Sequence, residues 1–201
     1  MRVIHSDNHI LIVEKPAGIE VQPQLCDEAK AWVKEKYAKP GAVFLEPIHR
    51  LDKPVSGLVL FARTSKALTR LNEAMRQRKI RKFYLARVEG KVDEGTLEDY
   101  LMHGSFRAEV VAKDHPEAKE ARLSYRALSH DKDTTLVEIE LHTGRYHQIR
   151  VQFGHRGHPI VGDEKYGSRI ASKKIALHHH KLMVTHPVTT AELVFESPCA
   201  L

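Results

Sequence analysis

Residues 49–62 of the chain read HRLDKPVSGLVLFA, in which four polar or charged side chains precede a turn and then an apolar run. The run LVLFA at 58–62 holds no polar side chain, which predicts a buried strand. Asp52 therefore stands at the head of a core strand, where an ionised carboxylate needs a cation nearby. Arg50 and Arg150 are candidates for that cation. On this pattern alone, a structural Asp–Arg pair that ties a loop to a helix is the favoured interpretation.

The composition predicts a folded domain that binds a polyanion. With 201 residues, 42% of them hydrophobic, the chain is long enough for one domain with a sizeable core. Its formal net charge is +6 and its sequence pI is about 9.3. Residues 64–81 carry six basic side chains against one acid, Glu73. This clustering favours RNA or DNA as the partner over the alternative of a merely soluble basic protein.

Other features of the sequence are typical of a cytoplasmic protein. No stretch approaches the roughly 18 apolar residues that cross a bilayer, and the N-terminus lacks the small-residue cleavage site of a signal peptide. The two cysteines, Cys26 and Cys199, stand near opposite ends of the sequence, so a disulfide framework is not expected. We therefore expect a single domain over residues 1–201, in the cytoplasm and without a membrane partner.

Hydrophobic periodicity predicts many short strands and few helices. Residues 64–81 repeat apolar side chains at helical spacing, and Thr64 or Ser65 can cap that helix. Residues 81–90 alternate between two faces, one of which carries Tyr84. Further helices are predicted at 27–37 and 146–153, and further strands at 9–15, 19–23, 57–63, 123–129, 135–141, 175–184 and 191–195. Consecutive strands with few helices indicate an α+β fold built on a mostly antiparallel sheet.

Three segments, 49–57, 82–90 and 143–167, concentrate polar side chains, and the third contains five glycines that allow a ligand close to the backbone. A metal site is not expected, because the histidine run 178–180 alternates faces in a strand and has no metal-ligand spacing around it. Ser56 lacks the G-x-S-x-G pattern of a hydrolase nucleophile. No phosphate-binding loop spacing is present either.

Five motifs resemble the RluA-type pseudouridine synthases, in that family's order. They are NHILIVEKPAGIEVQP at 8–23, HRLD with SG and a strand at 49–62, KFYLARVEG at 82–90, TGRYHQIR with GHPIVGDEKYG between 143 and 167, and LHHHKLMVTHP at 177–187. The resemblance implies an isomerase that converts uridine to pseudouridine within RNA, without cofactor or metal. It also implies a mixed, largely antiparallel sheet flanked by helices, with a central RNA-binding cleft.

The resemblance further implies roles for individual residues. Asp52 occupies the position of the catalytic aspartate, Tyr84 that of the tyrosine that stacks on the target base, and Arg150 that of the basic residue that pairs with the aspartate. Arg50 matches an arginine that fills the gap left by the flipped nucleotide. The same motifs add three substrate-binding candidates, His49, Arg145 and His147.

Two features depart from the family pattern. Val55 stands where many members have threonine, so a hydroxyl contact is absent at that position. An RNA-binding extension of the S4 kind is not expected, because the catalytic segment begins almost at Met1. Target recognition is then expected to come from the catalytic domain itself or from a partner.

The implied chemistry fits the residue types at these positions. A flipped base leaves its stack at a cost of a few kcal/mol, and Arg50 and Tyr84 suit the filling of the gap and the stacking on the base. Asp52 either attacks C1′, attacks the uracil ring or removes a sugar proton, and the sequence favours none of the three. A glycoside hydrolase would need a second carboxylate, for which Asp163 is the sole plausible candidate.

Two other functions stay open on the sequence alone. One is a catalytically inactive RNA-binding or assembly protein on the same fold, and the other is an N-glycosidase that releases the base. The expected partner is ribosomal or transfer RNA, although the sequence specifies neither the RNA nor the uridine. We expect a monomer.

Overall fold

The computed structural model describes residues 1–198, which form two compact units. Unit 1 comprises Met1–Ile80 and His179–Pro198, and unit 2 comprises Arg81–His178. The single domain expected over 1–201 stays a prediction. Cys26 is buried in unit 1, whereas Cys199 lies outside the described residues.

Eleven strands and three α-helices are present among residues 1–198. The strands are β1 (Arg2–Ser6), β2 (Ile10–Lys15), β3 (Glu46–Pro47), β4 (Ser56–Ala62), β5 (Arg81–Glu89), β6 (Glu94–His103), β7 (Ala108–Val111), β8 (Lys119–His130), β9 (Thr134–Leu141), β10 (Leu177–Thr185) and β11 (Glu192–Glu196). The helices are α1 (Cys26–Lys36), α2 (Ser65–Arg76) and α3 (Gln148–His155), with short helical turns at Val21–Leu25 and Glu164–Tyr166. The predicted α+β class and its mixed, largely antiparallel sheet are confirmed.

The apolar strand β4 is central to unit 1. It pairs antiparallel with β2 and with the short β3, while β2 also pairs with β1, and β10 pairs with β11. Leu58, Leu60 and Ala62 of β4 are fully buried. They share a core with Leu71 of α2 and Leu182 of β10. The run LVLFA is therefore a core strand, as the sequence predicts.

The predicted strand at 19–23 is wrong. Residues Val21–Leu25 form a helical turn that leads into α1, and Val21 and Leu25 are both buried. Gln22 keeps an extended backbone, with φ of −126° and ψ of 130°, but the turn around it runs directly into α1, so IEVQP forms no strand. The partners of β2 are instead β1 and β4.

Helix α2 begins where the sequence predicts and ends earlier. The Thr64 hydroxyl accepts a hydrogen bond at 3.1 Å from an amide of the first turn, which caps the helix. The helix ends at Arg76 rather than at 81 because Arg78 adopts a left-handed conformation with φ of 57°. The amides of Arg78 and the next residue bond back to carbonyls of the last turn, which closes the helix end.

Unit 2 contains an antiparallel sheet with the strand order β5–β9–β8–β6–β7. In β5 the predicted alternation is confirmed, and the buried face carries Lys82, Tyr84, Ala86 and Val88. None of the helices in residues 1–198 has the length and apolar character that crossing a membrane requires.

Candidate active site

Asp52 lies in the turn that leads into β4. Its backbone carbonyl accepts a hydrogen bond from the Val55 amide at 3.0 Å. Leu51 and Val55 on either side are 7% and 3% exposed, whereas Asp52 is half-buried and Arg50 is exposed. The apolar neighbours therefore anchor the turn in the core, and the carboxylate is held at the boundary between core and solvent.

Gly57 allows β10 to pack directly against the start of β4. Its φ is 122°, and a Cβ at this position would lie 2.3 Å from the carbonyl oxygen of His179, so only glycine fits. The His179 ring bonds through Nδ1 to the Leu58 carbonyl oxygen at 2.6 Å. His49 Nε2 accepts a hydrogen bond from the Leu60 amide at 3.2 Å. Both rings are thus fixed to the backbone of β4.

Metal-ligating side chains do not converge in the part of the chain that the structure describes. Over residues 1–198 no group of three or more His, Cys, Asp or Glu side chains is placed to hold a metal ion.

A fully buried lysine, Lys15, lies close to Asp52. Its ammonium donates hydrogen bonds to the carbonyl oxygens of Ile19 at 2.8 Å, Pro16 at 3.1 Å and Lys53 at 3.2 Å. Burial lowers the pKa of Lys15 to about 8, and the negative charge of Asp52 opposes that shift. Lys15 therefore ties the turn that carries Asp52 to the end of β2 and places a positive charge beside it.

In unit 2, Gln148 closes the loop that precedes α3. Its side-chain oxygen accepts hydrogen bonds from the Thr143 hydroxyl at 2.7 Å and the Arg145 amide at 3.0 Å. Its side-chain amide donates to the Arg122 carbonyl oxygen at 3.1 Å. His147 takes a left-handed conformation, with φ of 52°, as the chain enters α3. The motif TGRYHQIR is therefore a closed turn whose backbone is fixed by the Gln148 side chain.

Arg150 of α3 forms a buried, bidentate ion pair with Asp163. Its Nε and Nη2 atoms donate to the two carboxylate oxygens at 2.6 and 2.9 Å, and the two side chains are 6% and 2% exposed. The guanidinium carbon also lies 5.2 Å from the centre of the Tyr166 ring. Asp163, the candidate for a second catalytic carboxylate, is thus engaged by Arg150. The pairing of Arg150 with Asp52 stays a prediction.

His147 is held neutral beside this ion pair. Its Nδ1 lies 2.8 Å from the Tyr166 hydroxyl, which also accepts a hydrogen bond from the Ala108 amide at 2.8 Å. Burial, followed by the charges of Arg150 and Lys165, lowers the pKa of His147 to about 3. Burial also raises the pKa of Tyr166 to about 12. At pH 7 the imidazole is therefore neutral.

Tyr84 lies on the buried face of β5, 6% exposed and paired with Ile139 of β9. Lys82 lies two residues earlier on the same face and is 7% exposed. Burial lowers the pKa of Lys82 to about 8. The stacking candidate therefore has a buried cation as its neighbour along the strand.

The predicted site residues thus form two local groups. In unit 1, His49, Arg50 and Asp52 share the turn before β4. In unit 2, Tyr84 lies on β5, and Arg145, His147 and Arg150 lie at the start of α3.

Sequence reasoning missed four features of these surroundings: Lys15, Lys82, Tyr166 and the ion pair that Arg150 forms with Asp163. The position of Lys82 could have been predicted from the sequence, because the alternation of β5 puts it on the same face as Tyr84.

The match to a known family is extensive. A sequence profile described as RNA pseudouridylate synthase matches residues 9–155. This chain belongs to that family. Its members are isomerases that act on RNA, so the resemblance drawn from the five motifs is confirmed.

Individual relatives of this pseudouridine synthase extend over nearly its full length. The dual-specificity RNA pseudouridine synthase RluA of Pasteurella multocida is 35% identical over 98% of this chain and 93% of its own length. The ribosomal large subunit pseudouridine synthase D of Pseudomonas aeruginosa is 32% identical over 98% of this chain and 68% of its own. The solved structure of human RNA pseudouridylate synthase domain containing 4 shares the fold, with a TM-score of 0.85 at 22% identity over 99% of this chain and 88% of that one.

Proposed function

We propose that this pseudouridine synthase modifies a uridine of ribosomal or transfer RNA and uses Asp52 as its catalytic carboxylate. The observation that carries the proposal is the turn before β4, which holds Asp52 half-buried beside the buried ammonium of Lys15. The names of the relatives support the RNA class. One is called dual-specificity, and another is named for the large ribosomal subunit.

The other site residues receive roles that match their chemistry. Tyr84 stacks on the flipped uracil, and Arg50, an exposed planar cation, fills the gap that the base leaves. Arg150, held by Asp163, is the basic residue of the catalytic machinery. Three residues of the same motifs contact the RNA around the target: His49, Arg145 and His147.

The reaction is balanced without a second carboxylate. The N1–C1′ bond breaks, the C5–C1′ bond forms, the proton on C5 leaves and N1 gains a proton, so the product has the composition of the substrate. Asp52 stabilises the positive charge that develops at C1′, either electrostatically or by a covalent bond. A base-releasing glycosidase would need a second acid. The engagement of both Asp163 oxygens by Arg150 favours the isomerase.

We further infer that the enzyme is a cytoplasmic monomer whose residues 1–201 act as one catalytic domain without cofactor or metal ion. Size-exclusion chromatography with light scattering tests the monomer, and activity after exhaustive chelation tests the absence of a metal.

Product analysis tests the proposed function. Pseudouridines are mapped in total RNA from cells with and without the protein, and the affected RNA is then made unmodified and incubated with the purified enzyme. We expect pseudouridine at one position. Unchanged uridine with bound RNA would instead indicate a catalytically inactive binding protein, and an abasic site with released uracil would indicate an N-glycosidase.

A further inference from the structure

Two lysines are buried among residues 1–198, and their surroundings differ. The ammonium of Lys15 donates to three backbone carbonyls and has the charge of Asp52 nearby. Across residues 1–198, the ammonium of Lys82 makes no hydrogen bond and no ion pair, and no carboxylate opposes the effect of burial on its pKa. A buried cation without a partner is costly. The ammonium of Lys15 is therefore stabilised by groups of the protein itself, whereas that of Lys82 is suited to bind an external anion.

The ammonium of Lys82 lies beside the backbone of a glycine in the loop before α3. Strand β9 pairs with β5 and ends at Leu141, and the chain then passes through Gly144. A Cβ at Gly144 would lie 3.4 Å from Lys82 Nζ, so the absence of a side chain at this position leaves the ammonium next to the backbone of the loop. The following residue, Arg145, is exposed and adds a second positive charge to the same loop.

Lys82 also stands at a suitable distance from the stacking candidate. Lys82 and Tyr84 lie on the same face of β5 and two residues apart, which corresponds to about 6.8 Å along a strand. This spacing is comparable to the separation between the base of a nucleotide and its own phosphate. A nucleotide whose base stacks on Tyr84 would thus bring a phosphate within reach of Lys82.

We propose that Lys82 binds a phosphodiester of the RNA backbone beside the target uridine. This assignment rests on the proposed function, because it places the base of that uridine on Tyr84. An ammonium is a compact cation that binds phosphate as a point charge. The phosphodiester supplies the negative partner that the protein does not, and its charge raises the pKa of Lys82.

The first test measures RNA affinity as a function of salt for Lys82→Met and for Lys91→Met, a matched change at an exposed lysine that follows β5. The probe is the RNA that the wild-type enzyme modifies. We expect Lys82→Met to weaken binding about tenfold and to lower the slope of log affinity against log salt by about one. We expect Lys91→Met to bind as the wild type does.

The second test removes one negative charge from the RNA. A neutral methylphosphonate replaces the phosphodiester on the 5′ or the 3′ side of the target uridine. We expect one of the two RNAs to bind the wild-type enzyme about tenfold more weakly, and to bind Lys82→Met no more weakly than the unsubstituted RNA does. Because the first half of this comparison uses the wild-type protein, it tests the contact even if the variant does not fold.

The outcomes separate the two proposals. If the wild-type enzyme forms pseudouridine and both methylphosphonate RNAs bind it normally, the phosphate contact is wrong and the proposed function stands. The same conclusion follows if Lys82→Met keeps the affinity and salt slope of the wild type. If the wild-type enzyme forms no pseudouridine in any RNA, the proposed function fails, and the assignment of Lys82 fails with it.

Discussion

At the scale of single residues, the site depends on charges that the protein places in its interior. Lys15 is fully buried, yet its ammonium joins two segments 38 residues apart by bonding to the carbonyl of Lys53. It thereby holds the turn of Asp52 against the end of β2. Lys82 is also buried, and its pKa is likewise lowered to about 8, but its ammonium has no internal partner. Two lysines in similar settings are thus assigned different roles by what their ammonium groups contact.

Replacement of Lys15 by methionine is expected to destabilise the protein. The carbonyls of Pro16 and Ile19 lose their ammonium partner, and a hydrogen bond to a charged group contributes about 1.5–3 kcal/mol. We therefore expect the free energy of unfolding in urea to fall by about 2–4 kcal/mol, with a loss of pseudouridine formation as the turn loosens. The control is Lys34→Met at an exposed position of α1. Equal unfolding midpoints for Lys15→Met and the wild type would contradict the structural role of Lys15.

His147 makes stability depend on pH in the acidic range. Its pKa is about 3 in the folded protein against an ordinary value of 6.5, so the unfolded chain takes up the proton first. The contribution of His147 to the free energy of unfolding should therefore be fully present above pH 6.5. It should fall by about 1.4 kcal/mol per pH unit as the pH drops toward 3. The measurement compares urea unfolding of the wild type, His147→Gln and His155→Gln between pH 7 and pH 4. Only His147→Gln should lose this part of the slope, and an unchanged slope in that variant would show that His147 titrates normally.

At the scale of elements, the loop before α3 and the buried pair behind it position the basic residues of unit 2. Gln148 closes the loop with three hydrogen bonds, and the two hydrogen bonds that Arg150 donates to Asp163 fix the orientation of the guanidinium. A helix that presents an arginine for catalysis needs this support, because an unrestrained guanidinium samples many rotamers.

Removing only the carboxylate of the Arg150–Asp163 pair should destabilise the protein more than replacing both residues with apolar ones. Asp163→Asn leaves a buried guanidinium uncompensated, which should lower the free energy of unfolding by about 3–5 kcal/mol. The double variant Arg150→Met, Asp163→Leu should regain much of that stability and still form no pseudouridine. Unfolding curves and product analysis of the wild type, Asp163→Asn and the double variant test this. A double variant less stable than Asp163→Asn would contradict it.

Secondary structure was predictable from the sequence where one face of an element is strongly apolar. Strands β4 and β5 and the start of α2 were predicted correctly because their periodicity is clear. Strand β6 was not predicted, since only Leu97 and Leu101 of its ten residues are buried. The end of α2 was not predicted, because the residue in left-handed conformation is Arg78 and not the glycine that usually marks a helix end.

At the scale of the whole molecule, fold class and family followed from motifs spread along nearly the entire sequence, and both are confirmed. The local environment of each site residue could not be predicted in the same way. The ammonium of Lys15 bonds to backbone carbonyls, which have no sequence signature, and the partner of Arg150 lies 13 residues further along the chain. Such pairings follow from tertiary packing, which a single sequence does not display.

The central claim is that the enzyme isomerises a uridine in RNA and uses the carboxylate of Asp52 as its catalytic group. Its most direct test is the amount of pseudouridine formed at the target position by Asp52→Asn, with Asp114→Asn, an exposed aspartate in the turn between β7 and β8, as the matched control. We predict that Asp52→Asn forms no detectable pseudouridine while it binds the RNA and unfolds like the wild type, and that Asp114→Asn is fully active. Pseudouridine formation by Asp52→Asn at the wild-type rate would contradict the account.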